Sequence, residues 1–175
     1  MQYSQYKMAL QFHKSRDDPR FYDGFADELI IHSIQSKLGP INQTHKKILV
    51  LGCRDEKLVT KLLIAGYNAK GMDIRDDYIQ DSPDWFIHAN AANIPLKDNS
   101  IDLIISRLFF DDLIGLQELD EQEVHNIYTS QCHKILRPDG LILSHGDRLP
   151  LGGGEYFNEI IIKNSRPIYF YQVKK

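Results

Sequence analysis

Residues 48–53, Ile48-Leu49-Val50-Leu51-Gly52-Cys53, decide how the rest of the chain is read. Four consecutive apolar residues suit a strand buried on both faces of a parallel sheet, and Gly52-Cys53 end it. Asp55 stands where an N-cap belongs, ahead of a helix that carries Leu58, Val59, Leu62, Leu63 and Ala65 on one face. Gly66 closes that helix. Residues 68–74, Asn68 to Ile74, then read as a second strand.

The same rhythm continues downstream. Trp85-Phe86-Ile87 form a short third strand and residues 102–106, Asp102 to Ser106, a fourth. A longer helix follows from Glu121 to Leu136, with Val124, Ile127, Tyr128, Gln131 and Ile135 on its inner face. Pro138-Asp139-Gly140 turn into a fifth strand, Leu141 to Ser144. Beyond Gly152-Gly153-Gly154 the helix signal ends, and 156–163 and 168–173 read as a hairpin joined by Asn164-Ser165-Arg166-Pro167. Upstream, two amphipathic helices are expected, over 3–14 and 22–38, separated by Pro19 and stopped by Gly39-Pro40.

Strands alternating with helices imply a parallel sheet with right-handed crossovers. The expectation is an α/β fold: a Rossmann-like, doubly wound, mostly parallel sheet with N-terminal helices and a C-terminal antiparallel hairpin. Residues 1–45 would form a helical lid segment and 46–175 the sheet, in a single domain overall. The hairpin offers an edge through which two copies can pair as a homodimer.

Composition narrows the functional classes. The chain has 175 residues with Lys+Arg 21 against Asp+Glu 24 and a net charge of −3, which argues against a bulk nucleic-acid binder. No apolar run approaches the roughly 20 residues that span a bilayer, and the N-terminus has no signal-peptide pattern. Two cysteines, Cys53 and Cys132, make no disulfide framework. A cytoplasmic protein is expected, and the seven histidines gather into no metal-binding spacing.

In a doubly wound sheet a ligand sits outside the carboxyl ends of the strands, near the point where strand order reverses. The residues to interrogate are 52–56, Asp73 and Ile74, 88–93, 106–112 and 145–147. His145, after the fifth strand, could take a proton from a substrate. Asp111 beside Asp112 is a second candidate base, although adjacent acids more often form a solvated turn.

Four pieces of the chain, in register between Lys46 and Gly146, resemble the class I S-adenosylmethionine-dependent methyltransferases, of the methyltransferase type 11-like kind. Residues 48–53 are similar to the family's strand running into a glycine-rich loop, and Met72-Asp73-Ile74 to its second strand. The run from Asn90-Ala91 through Ile94-Pro95-Leu96 to Ser100-Ile101-Asp102 is similar to the stretch leading into its fourth strand. Ile135-Leu136-Arg137-Pro138-Asp139-Gly140 resembles the turn before its fifth. The resemblance implies S-adenosylmethionine as cofactor, with Gly52 and Cys53 in the loop and Asp73 on the ribose hydroxyls. It also implies Ile74 beside the adenine, Asn90 and Ala91 in the adenine-side position usually held by an acid, and Ser106 near the transferable methyl group.

The loop is a degenerate version of the family's: Arg54, Asp55 and Glu56 stand where two further glycines usually let the backbone approach the cofactor. Two readings follow. One is a methyltransferase acting on a small-molecule acceptor. The other is a non-catalytic relative with impaired cofactor binding, serving as a binding or regulatory module for a protein partner. A nicotinamide enzyme fits less well, because Asp55 and Glu56 would repel a pyrophosphate at that helix N-terminus.

Overall fold

A computed structural model describes residues 24–38, 45–53, 57–75, 83–107, 121–145, 157–162 and 168–174. Among these residues three helices, α1 (Gly24–Leu38), α2 (Lys57–Ile64) and α3 (Glu121–Ile135), accompany seven strands. The strands are β1 (Lys47–Leu51), β2 (Asn68–Asp73), β3 (Phe86–His88), β4 (Ile101–Arg107), β5 (Leu136–His145), β6 (Phe157–Ile162) and β7 (Ile168–Val173). They form one sheet in the order β3-β2-β1-β4-β5-β7-β6. The strands from β1 to β5 run parallel, and β7 is antiparallel to both β5 and β6. Strand order reverses at β1, between β2 and β4. The α/β, mostly parallel architecture and its terminal hairpin are those expected. The helix expected over 3–14 lies outside the described residues.

β1 is buried on both faces because helices cover both. Leu49 and Leu51 share a core with Val124, Tyr128, Cys132 and Ile135 of α3. Ile48 and Val50 share the opposite core with Ile30 and Ile34 of α1 and with Leu58, Val59 and Leu62 of α2. Thus α1 is a layer of the sheet's packing. Full burial of Ile30 and of Ile34 is worth about 1.5–3 kcal/mol each. The carboxylate of Asp27, in the first turn of α1, adds an ion pair 3.2 Å from Lys61 Nζ on α2. Burial works to lower the Lys61 pKa, but hydrogen bonds to Asp27 and Glu28 outweigh it and hold the ammonium above its ordinary value.

Two helical faces are rotated from the expected ones. On α2, Leu63 is 38% exposed while Leu58, Val59 and Leu62 carry the contact. On α3, Cys132 takes the core position expected for Gln131. Gln131 instead accepts the Ile94 N–H at Oε1, 3.3 Å away. A polar group that can reach a loop amide gains more there than in an apolar core.

The expected turn at Pro138-Asp139-Gly140 is a bulge within a longer strand. β5 begins at Leu136, directly after α3, and its pairing with β4 jumps from Ile101↔Leu136 to Leu103↔Leu141. Asp139 takes the left-handed conformation at φ 70°, which a short polar side chain tolerates. Opposite the bulge, the buried Asp102 accepts the Lys47 N–H at 2.8 Å and an Arg137 guanidinium N–H at 3.1 Å. One carboxylate thus ties β1, β4 and β5 together at the amino end of the sheet and leaves the carboxyl end for other uses.

Candidate functional site

At the carboxyl end of β1 the chain bends through Gly52, whose φ of 61° is accessible to glycine at little cost. Cys53 follows, and its N–H donates to the Met72 carbonyl at 3.2 Å, so the exit of β1 stays tied to β2. Its side chain is buried in the α1–α2 core. There it faces Gly71, where a Cβ would stand 2.7 Å from Cys53 Sγ. The sulfur fills space as a small apolar group. The loop residues Arg54, Asp55 and Glu56 lie outside the described residues.

β2 delivers Asp73 to the same edge. The residue is 8% exposed and is held at two points. Its Oδ1 accepts the Arg75 N–H at 2.9 Å, and its carbonyl accepts the Ala89 N–H at 2.9 Å. Ile74 is half-buried. Its carbonyl lies 2.8 Å from Nε2 of His88, which donates to it. The His88 ring also stacks on Phe86, with centroids 6.5 Å apart. His88 pairs in register with Asp73, so β3 braces the loop leaving β2. Arg75 is 2% exposed and is the largest of the fully buried side chains. Neither His88 nor Arg75 was singled out from the sequence. His88 falls inside the strand-end stretch worth interrogating, but its bond to Ile74 depends on the β2–β3 pairing.

Beyond β3, Asn90 is exposed and closes a turn. Its Oδ1 accepts the Ala92 N–H at 2.8 Å and its carbonyl accepts the Asn93 N–H at 2.9 Å. The Tyr128 hydroxyl of α3 stands 3.5 Å from the same Oδ1. Ala91 is buried and packs into the α3-side core. On the other side of β1, Ser106 is fully buried near the end of β4, paired with Leu51 and with Ser144. Its hydroxyl has no hydrogen-bond partner among the described residues.

Gly52, Cys53, Asp73, Ile74, Asn90, Ala91 and Ser106 therefore converge on the carboxyl edge of four adjacent strands, β3-β2-β1-β4. Of the two candidate bases, His145 ends β5 in register with Arg107 and is 4% exposed. Asp111 lies outside the described residues. Among the described residues no group of three or more His, Cys, Asp or Glu is placed to hold a metal. No described helix is long and apolar enough to cross a membrane. Burial pushes the Cys132 thiol up to about 12, which keeps it protonated and unreactive.

Chemically, the edge offers a fixed carboxylate one strand away from a glycine bend. A carboxylate accepts hydrogen bonds from a vicinal diol and tolerates a cationic ligand. The glycine bend removes the side chain that would block close approach.

A family model described as a methyltransferase domain matches residues 49–144. No curated protein matches the sequence significantly. Among solved structures, the fold is similar to that of the N-methyltransferase NodS from Bradyrhizobium japonicum WM9 in complex with S-adenosyl-L-homocysteine. The TM-score is 0.68 at 12% identity, over 96% of this chain and 99% of that one. It is also similar to the 1,6-didemethyltoxoflavin-N1-methyltransferase of Burkholderia thailandensis, with a TM-score of 0.65 at 12% identity, over 98% and 87% of the two chains. A third similar structure is the PH0226 protein of Pyrococcus horikoshii OT3, with a TM-score of 0.66 at 16% identity, over 93% and 99%. The sheet order and the matched domain agree: the chain belongs to the class I S-adenosylmethionine-dependent methyltransferase family.

Proposed function

We propose that the chain binds S-adenosylmethionine at the carboxyl edge of β1–β4 and methylates a small-molecule acceptor. The observation that carries this reading is the placement of Asp73, a nearly buried carboxylate fixed at the end of β2 beside the left-handed bend at Gly52. In this reading Asp73 accepts hydrogen bonds from the ribose hydroxyls and Ile74 flanks the adenine. Asn90 and Ala91 line the base edge. Gly52 and Cys53 floor the site, and Ser106 faces the methyl-donor end.

When bound, S-adenosylmethionine supplies an electrophilic methyl group on a sulfonium. The chain's own task is then positioning and exclusion of water, because methyl displacement from a sulfonium needs little acid–base machinery. His88 and the Arg75 N–H hold the loop around Asp73, so the carboxylate needs no reorganisation on binding. In the same reading His145 takes the acceptor's proton if the acceptor carries one. One of the similar structures supports a small acceptor by analogy: the N1-methyltransferase with bound 1,6-didemethyltoxoflavin and S-adenosylhomocysteine.

The test is methyl transfer. The protein is incubated with radiolabelled S-adenosylmethionine and a panel of small amines, phenols, thiols and heteroaromatic nitrogens. Acceptor-dependent release of S-adenosylhomocysteine is expected. Absence of cofactor binding at millimolar concentration would contradict the reading.

A further inference from the structure

Two consecutive carbonyls at the exit of β2 are captured from the same side. The Asp73 carbonyl accepts the Ala89 N–H at 2.9 Å, and the Ile74 carbonyl accepts the Nε2–H of His88 at 2.8 Å. In a continuing strand successive carbonyls point to opposite neighbours. The chain has therefore left strand geometry at Ile74, and an imidazole supplies the donor there. A carbonyl only accepts, so the bond fixes the neutral ring in the tautomer with its proton on Nε2. Phe86, on the same face of β3, stacks on the ring with planes 17° apart. β3 ends the sheet and is three residues long, and the His88 side chain extends its grip on β2 past the last paired residue. His88 is exposed, and a hydrogen bond open to water breaks and reforms at low cost.

We propose that His88 is a positioning residue for the cofactor: its bond to the Ile74 carbonyl holds the turn after Asp73 in the shape that receives the nucleoside, and closing that bond is coupled to binding. The proposal rests on the reading of Asp73 and Ile74 as the nucleoside contacts; His88 itself touches no ligand. With the bond closed, Asp73 and Ile74 are presented together. With it open, binding must first order the turn, and affinity falls by the fraction of molecules that are open. By reciprocity, a ligand that prefers the closed turn holds the bond closed in return. A ring that only filled space at the end of β3 would show neither effect.

The experiment is calorimetric titration of S-adenosylhomocysteine into the wild type and two variants. His88→Phe keeps a stacking ring and lacks the donor; His88→Gln carries an amide N–H at a similar reach. His88→Phe should bind about threefold to tenfold more weakly, the effect of losing one net hydrogen bond, with the thermal stability of the unliganded protein largely kept. His88→Gln should recover most of the affinity. Equal affinity in the wild type and His88→Phe overturns the proposal, as does a Gln variant as weak as the Phe one. If the variants do not fold, the wild type decides. Nitrogen-15 spectra of its neutral His88 should show the proton on Nε2, and S-adenosylhomocysteine should slow the exchange of that proton with water. A proton on Nδ1, or an exchange rate that the ligand leaves unchanged, overturns the proposal. A wild type that binds no S-adenosylhomocysteine contradicts the cofactor reading itself, and the proposal falls with it.

Discussion

Cys53 Sγ occupies the space that a side chain at Gly71 would need: a Cβ there would stand 2.7 Å from the sulfur and 3.0 Å from Val59 Cγ2. The contact locks the exit of β1 against β2, two residues before Asp73. Gly71→Ala should destabilise the protein by about 1–3 kcal/mol, the usual cost of overpacking a well-filled core. Cys53→Ala in the same chain removes the nearest clashing atom and should recover part of that loss. Denaturant unfolding of the two single variants and the double variant measures the coupling, and additive losses would contradict the contact.

Tyr67, just before β2, is 5% exposed and its hydroxyl has no hydrogen-bond partner among the described residues. Desolvating a hydroxyl without a partner costs about 1–3 kcal/mol. Tyr67→Phe should therefore leave stability unchanged or raise it by about 1 kcal/mol. Burial also raises the Tyr67 pKa above that of an exposed phenol. The unfolded chain gives up this proton near pH 10, while the folded one retains it. The folded state is thus at no disadvantage below that pH and loses stability as the pH climbs above it. Thermal unfolding from pH 8 to 11 should show a shallower alkaline decline for Tyr67→Phe than for the wild type.

Asp139 holds φ 70° inside the β5 bulge, and the bulge places Arg137 on Asp102 at 3.1 Å. A β-branched residue is far less tolerant of left-handed backbone than Asp or Gly. Asp139→Val should cost about 1–2 kcal/mol, and Asp139→Gly much less. Equal losses for the two variants in chemical denaturation would contradict a conformational origin.

The fold was legible because its strongest signals are local. Ile48 to Leu51 and the apolar residues of β4 announce strands covered on both faces, and both are so covered. The start of β5 was not legible, because Pro138-Asp139-Gly140 has turn chemistry and only its pairing with β4 makes it a bulge. The inner face of α3 was shifted by Gln131, whose partner, the Ile94 N–H, is 37 residues away in sequence. For the site, Asp73 and Asn90 stand out as polar residues at or just beyond strand ends. The His88–Ile74 bond, the Cys53–Gly71 contact and the burial of Arg75 arise from strand neighbours and carry no local pattern.

The account turns on the carboxylate of Asp73, and calorimetric titration of S-adenosylhomocysteine into the wild type and Asp73→Asn tests it most directly. The substitution keeps an oxygen for the Arg75 N–H but removes the charge and one acceptor. The wild type should bind, and Asp73→Asn should bind about tenfold to a hundredfold more weakly with its thermal stability largely kept, as expected for loss of charge-assisted hydrogen bonds. Equal affinity in the two proteins would contradict the assignment of Asp73 to the cofactor.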